Sequence, residues 1–251
     1  MCGRKISSRI ANIVMLLVWL AAGPVLAMET GSPGKTVMAL GLSWHPAFCE
    51  GQRNRPECAH PSAEAQSARQ LSLHGLWILR KSYCGAPDSL KTADKAGDWL
   101  KMPALALDPR LAADLSRAMP GVASGLDRHE WVKHGLCSGG LADDYFRRAL
   151  GLTDEVNRSA VGALFSANIG KTLDEAQIKA AFDQAFGPGS GDKVRMRCRK
   201  DGGRRLISGL SVGLGAEKEG EKGLGLAALL ARAKPTKFGC ASGIVDAAGL
   251  Q

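Results

Sequence analysis

The stretch His129-Glu130-Trp131-Val132-Lys133-His134-Gly135-Leu136-Cys137 holds two of the chain's five histidines, an acid, a base, an indole and a thiol in nine residues. A zinc-protease helix carries His-Glu-x-x-His, with its two imidazoles four residues apart on one face. His129 and His134 are five apart, about 140° around a regular helix, so one helix cannot turn both toward one ion. The pairs that share a face at i,i+4 are Glu130 with His134 and His129 with Lys133. That places a carboxylate beside one imidazole and an ammonium beside the other, which suits proton transfer next to an anion better than metal binding. The bland reading of the same residues is a solvated helix start with an incidental ion pair.

The N-terminus bears on where such chemistry would operate. Residues 1–9 carry three positive charges and no acid, and residues 10–22 (IANIVMLLVWLAA) form a short apolar run. Gly23-Pro24-Val25-Leu26-Ala27 follows, a small-residue exit. The run is shorter than the roughly 20 residues that span a bilayer. The pattern predicts a secretory signal peptide over 1–27 and a single domain over 28–251, with no stable membrane association once the signal is removed. Cleavage after Ala27 would leave 224 of the 251 residues and lower the net charge from +9 to +6. A modest basic excess suits a polyanionic partner without requiring one.

Six cysteines remain after residue 27: Cys49, Cys58, Cys84, Cys137, Cys198 and Cys240. An even number in an exported chain predicts three disulfides, among fifteen possible connectivities. No pair is spaced Cys-x-x-Cys, which removes the usual signature of zinc ribbons and thioredoxin-like centres.

Strands are expected at Val37–Trp44, Leu71–Trp77, Val194–Arg197 and Leu206–Leu214, with a turn at Pro46 and a basic turn over Arg199–Arg205. Residues 108–118 read as a helix capped by Asp108 with Pro109 in its first turn. Residues 129–136, 142–150 and 172–186 also read as helices, the last opening on a capping box at Thr172-Leu173-Asp174-Glu175 and stopping at Gly187-Pro188. Residues 215–225 read as a charged, glycine-rich surface loop. Strands mixed with unevenly placed helices predict an α+β fold.

A second segment changes the weight of the first. Leu71-Ser72-Leu73-His74-Gly75-Leu76-Trp77 sets a third histidine at the end of an apolar strand. With His129–Cys137 it resembles the ribonuclease T2 family of exported, metal-independent endoribonucleases, whose two active-site segments are His-Gly-Leu-Trp and His-Glu-Trp-x-Lys-His-Gly-Thr-Cys. Leu136 replaces the threonine. Leu40–Cys49 is similar to the family's first strand and its Trp-Pro-x-x-Phe-Cys turn, with His45 where proline usually stands. The resemblance, from about residue 37 to Cys240, implies a central antiparallel sheet with packed helices.

It also implies roles. His134 would be the general base at the ribose 2′-hydroxyl and His74 the general acid at the departing 5′-oxygen. Glu130 and Lys133 would polarise the phosphate, and His129 would hold it. Trp77 would stack on a base, and Trp131 would pack inside. Two imidazoles near their ordinary pKa of about 6.5 can hold opposite protonation states at mildly acidic pH. The implied activity is cleavage of single-stranded RNA through a 2′,3′-cyclic phosphate, by a monomer, in the periplasm or secreted, with no cofactor and no metal. On the same resemblance the pairing expected is Cys49–Cys58, Cys84–Cys137 and Cys198–Cys240. Ile78, Leu79 and Arg80 stand where the family usually has proline and base-holding polar residues, Ser43 where glutamine is common, and Asp127 where an aromatic is preferred. These departures predict weak base selectivity. The alternative is an exported RNA-binding or toxin-like protein of the same fold whose effect does not require cleavage.

Overall fold

The computed structural model describes residues 1–3, 34–218 and 220–250, so the expected signal segment lies almost wholly outside the described residues. In chain order the elements are β1 (Thr36–Ser43), α1 (His45–Glu50), β2 (Ser72–Ile78), α2 (Asp88–Ala96), α3 (Pro109–Ala118), α4 (Leu126–Lys133), α5 (Ala142–Asn157), α6 (Ala160–Ala167), β3 (Thr172–Asp174), α7 (Glu175–Phe186), β4 (Val194–Asp201), β5 (Arg204–Gly215), α8 (Leu226–Ala231) and β6 (Ser242–Ile244).

The α+β fold with a central, mainly antiparallel sheet is what forms. β1 lies between β2 and β5, antiparallel to both, and β4 pairs antiparallel with β5. β6 meets β5 in parallel at Leu206 and carries β3 on its other side. Period-two alternation sorts the two faces. Leu40 and Leu42 of β1 and Leu210, Val212 and Leu214 of β5 are fully buried in the main core. They pack with Phe146 and Leu152 of α5, Phe165 of α6, Ile178 and Phe182 of α7 and Leu229 of α8. Each such side chain contributes about 1.5–3 kcal/mol when fully buried. The residues between them, Gly41 and Ser43 on β1 and Gly209, Ser211 and Gly213 on β5, are small and face the other way. That small-residue face carries the site.

Asp108 caps α3 as expected, its carboxylate accepting from the Arg110 and Leu111 amides at 3.0 and 3.1 Å. Other local readings are corrected. Pro46 lies in the first turn of α1, where its missing N–H costs nothing, and not in a turn. Thr172–Asp174 is a strand, because β6, distant in sequence, supplies its partner. The capping box is therefore shifted: Asp174 accepts from the Gln177 amide (2.8 Å), and the Gln177 side chain accepts from the Asp174 amide (3.0 Å). The basic turn over 199–205 is mostly strand, with β4 and β5 joined at Gly202-Gly203. α5 runs on to Asn157, and α2, α6, α8 and β6 were not anticipated. The three disulfides are Cys49–Cys58, Cys84–Cys137 and Cys198–Cys240, as expected.

Candidate active site

His74 reaches the site through an irregularity in pairing. Gly41 of β1 faces Gly75, whereas the next residue, Leu42, faces Leu73, so His74 is the extra residue of a β-bulge. It lies within β2, not at the strand end expected from sequence, and the bulge is what re-aims its side chain. Ser43 Oγ is hydrogen-bonded to His74 Nδ1 at 3.2 Å, which leaves Nε2 facing Glu130 Oε1 at 3.6 Å.

Glu130 projects from α4 and is 1% exposed. The Trp77 indole N–H donates to its Oε1 at 3.3 Å, while Oε2 has no hydrogen-bond partner among the described residues. Burial, only partly offset by that bond and by Lys133, pushes its carboxyl up to about 8. The glycine after His74 has a steric cause: a Cβ on Gly75 would stand 2.0 Å from Glu130 Oε2. Gly41 is empty for the same reason, since the Trp77 ring lies 2.6 Å from where its Cβ would be.

The second segment is not one helix from 129 to 136. α4 begins at Leu126 and ends at Lys133, and His134 sits at its C-terminus with φ −120° before a 3-10 turn, Gly135–Ser138. His134 therefore leaves the helical face that would have paired it with Glu130, and Glu130 turns to His74 and Trp77 instead. Both imidazoles gather around one indole, His74 at 5.6 Å and His134 at 6.4 Å between ring centroids. Burial drives His74 down to about 4, helped by Arg197, and burial drives His134 down to about 4, helped by Lys133. Two ordinary imidazoles were expected; the site makes both hard to protonate. Lys133, the last residue of α4, precedes His134 and forms no ion pair among the described residues.

His129 is held by a residue that sequence reasoning missed. Asp94, 4% exposed on α2, has its Oδ1 at 2.6 Å from His129 Nδ1 and accepts from the Tyr83 hydroxyl at 2.6 Å through Oδ2. Trp99 stacks on the same imidazole at 4.5 Å and donates its indole N–H to the Asp94 carbonyl. His129 Nε2 then lies 3.9 Å from Glu130 Oε1. A signal for α2 existed: an acid in its first turn, a base in its last and Gly97, which ends it in the left-handed region at φ +78°. Burial lowers the His129 pKa and the Asp94 contact raises it. Asp94→Asn is therefore expected to move the His129 ring pKa further down. An NMR titration of the ring that showed it unchanged or higher would contradict this pairing.

The Trp77 ring rests on Gly41 and carries the Arg197 guanidinium at 5.3 Å. Trp131 does pack inward, edge-on to Tyr145 at 5.9 Å. A cavity of about 90 Å³ opens beside His74, walled by Phe48, Leu73, Trp99, Arg55 and Glu57. Among the described residues, three potential metal-ligating side chains bring their donor atoms within 4.8 Å of one another at His45, Cys49 and Cys58. The two sulfurs there are already bonded to each other.

The model of the ribonuclease T2 family matches residues 35–222. Ribonuclease I of Escherichia coli (strain K12) is 30% identical over 183 residues, covering 64% of this chain and 68% of that protein. Ribonuclease 1 of Arabidopsis thaliana is 28% identical over 183 residues, covering 71% and 76%. In fold, the chain is similar to the crystal structure of RNase NT in complex with 5′-AMP, with TM-score 0.50, 21% identity, and 86% of this chain and 99% of that one covered. Fold, family match and relatives together define an endoribonuclease. The chain belongs to the ribonuclease T2 family.

Proposed function

We propose that residues 1–27 are a secretory signal and that residues 28–251 act, as a monomer in the periplasm or outside the cell, on single-stranded RNA by transphosphorylation. The observation that carries the mechanism is the pair of imidazoles, His74 and His134, gathered around Trp77 with the unpaired Lys133 beside them. His134 takes the proton of the ribose 2′-hydroxyl, and the 2′-oxygen attacks phosphorus. The P–O5′ bond breaks, and His74 gives its proton to the departing 5′-oxygen. The products are a 2′,3′-cyclic phosphate and a 5′-hydroxyl. Lys133 and His129 stabilise charge on the non-bridging oxygens. Glu130, kept neutral below about pH 8, adds no negative charge that would repel the phosphate. Trp77 acts by holding Glu130.

Base selectivity is weak in this reading because most of the polar groups around the cavity beside His74 are already engaged. The His45 ring nitrogen Nε2 is 3.1 Å from the Glu57 carbonyl, Ser124 donates to the Glu57 carboxylate, and Ser43 serves His74. What remains is apolar and aromatic wall and the Arg55 guanidinium, which lies over Trp99 at 5.7 Å, and stacking tolerates any base.

The purified protein is expected to cut RNA at many positions in excess EDTA, leaving 5′-hydroxyl and cyclic or 3′-phosphate ends. Single-stranded DNA, which lacks the 2′-hydroxyl nucleophile, is expected to bind weakly, less so as salt rises, and to stay intact. Cleavage of DNA, or loss of RNA cleavage in chelator, would count against the reading, since metal-activated water is the usual nucleophile of a metal nuclease.

The pH dependence follows from the burial of both imidazoles. kcat/KM reports the free protein, and the productive form has one imidazole protonated and one neutral. With both held at about 4, that form is most populated near that pH. Above it, kcat/KM is expected to fall by about tenfold per pH unit. A bound phosphate favours the charged imidazole, so the kcat profile should sit at higher pH. A kcat/KM maximum at pH 7 or above would show that burial does not hold the two imidazoles down near 4.

A further inference from the structure

Arg197 is unlike the other arginines around the sheet. It leaves β4 opposite Gly209 of β5, crosses the small-residue face and donates to the Leu42 carbonyl on β1 at 3.2 Å. Its guanidinium lies over Trp77 of β2 at 5.3 Å. The crossing depends on the absence of a side chain at Gly209, where a Cβ would stand 2.1 Å from the same Leu42 carbonyl. Among the described residues no carboxylate lies within ion-pair distance of Arg197, although it is half-buried. A guanidinium has five N–H donors in a planar fork. One carbonyl and one π-face leave most of them unused, at a cost that an incoming anion would offset.

Arg195 stands two residues back on the same strand, on the same side, about 6–7 Å away along the chain. It is exposed and has no ion pair among the described residues. Its charge acts on Arg197. The two form a short cationic row that starts beside His74 and runs outward along β4, over a floor made by Gly209 and Ser211. A sheet face floored by glycine and serine admits a nucleic-acid backbone closely, and a cationic row along it is the arrangement that tracks successive phosphates.

We propose that Arg197 binds the phosphodiester next to the scissile one, on the side of the leaving nucleoside, and that Arg195 continues the track to the phosphate beyond. The leaving side is assigned because Arg197 lies by His74, which serves the departing oxygen, and because Ser43, beside the Leu42 carbonyl that anchors Arg197, bonds that same imidazole. This rests on the transphosphorylation reading. It adds to it a requirement for chain length: the protein recognises at least one phosphate that it does not cut. The charge relation is consistent, since Arg197 is the largest charge acting on His74. A phosphate seated on the guanidinium would relieve that repulsion just where a proton is needed.

The test compares a dinucleoside monophosphate with the same compound bearing an added 3′-terminal phosphate or an added 5′-terminal phosphate. In the unaltered protein the 3′-phosphate should lower KM by about tenfold at low salt, the effect of a charge-assisted hydrogen-bonded contact. The 5′-phosphate should do much less. Arg197→Gln should remove that gain, and Arg197→Lys, which keeps charge but not the fork, should retain part of it. Arg195→Gln should leave the 3′-phosphate gain in place and raise KM only for substrates one nucleotide longer. A second arm needs no turnover: for an uncut 2′-deoxy oligonucleotide, the slope of log K against log salt should become shallower by about 0.7 for each contact removed. An equal loss in Arg197→Gln on all three small substrates would overturn the proposal, showing that Arg197 acts only through Trp77. A gain confined to the 5′-phosphate would also overturn it, as would an unchanged salt slope. If the unaltered protein cut no RNA, the transphosphorylation reading would fail by itself, and the salt slope would still judge Arg197.

Discussion

His74→Ala and His134→Ala are each expected to lower kcat/KM on RNA by at least about a hundredfold, the low end of what a positioned acid or base contributes. His74 is an unpaired bulge residue whose ring is fixed by Ser43, and His134 stands at a helix end, so neither ring is part of the main core. Their removal should therefore spare the fold, and unchanged thermal unfolding would show that the loss is chemical. Glu130→Gln should cost less than either, because the amide resembles the neutral carboxyl that burial imposes below about pH 8. The same substitution should help stability as pH rises. Glu130 has a folded pKa above its ordinary value, so its stabilising contribution is complete below about 4.5 and is lost as pH climbs through about 8. The amide carries no such loss. If Glu130→Gln were the most damaging of the three to activity, the assignment of base and acid to the two histidines would be wrong.

Removing the Cys84–Cys137 disulfide, by changing both residues to serine, is expected to cost about 4 kcal/mol. The bond joins residues 53 apart, and loop-closure entropy in the unfolded chain grows with that length. For a domain of this size the loss corresponds to a fall of about 8–16 °C in Tm. Activity should fall with it for a local reason. Cys84 follows Tyr83, whose amide donates to the Lys133 carbonyl at 2.9 Å and whose hydroxyl donates to Asp94. The bond thus ties the loop after β2 to the segment that carries Lys133 and His134. Opening Cys49–Cys58, which spans only 9 residues, should cost less, about 3 kcal/mol by the same arithmetic. Denaturant unfolding of the two double variants measures the order, and a smaller loss at Cys84–Cys137 than at Cys49–Cys58 would contradict the account.

Much of the site was legible before the fold, for a chemical reason. His74-Gly75 and His129–Cys137 concentrate titratable groups that have no use in a core, and each glycine in them answers to one close contact. The alternation of Leu40, Leu42, Leu210, Val212 and Leu214 with small residues is likewise a local pattern, and it marks two strands with one buried face each. Residue type and short spacing therefore determined the sheet, and the family resemblance supplied the disulfides and the proposed acid–base pair. They did not determine which groups touch. Glu130 belongs with His74 and Trp77 and not with His134, because α4 stops at Lys133, three residues earlier than its pattern suggests. Asp94 meets His129 across 35 residues, and Arg197 reaches Trp77 over a glycine on an intervening strand. The depressed imidazoles and the neutral carboxyl have the same origin. A pKa depends on burial and on charges brought in from other elements, and only packing in three dimensions sets either one.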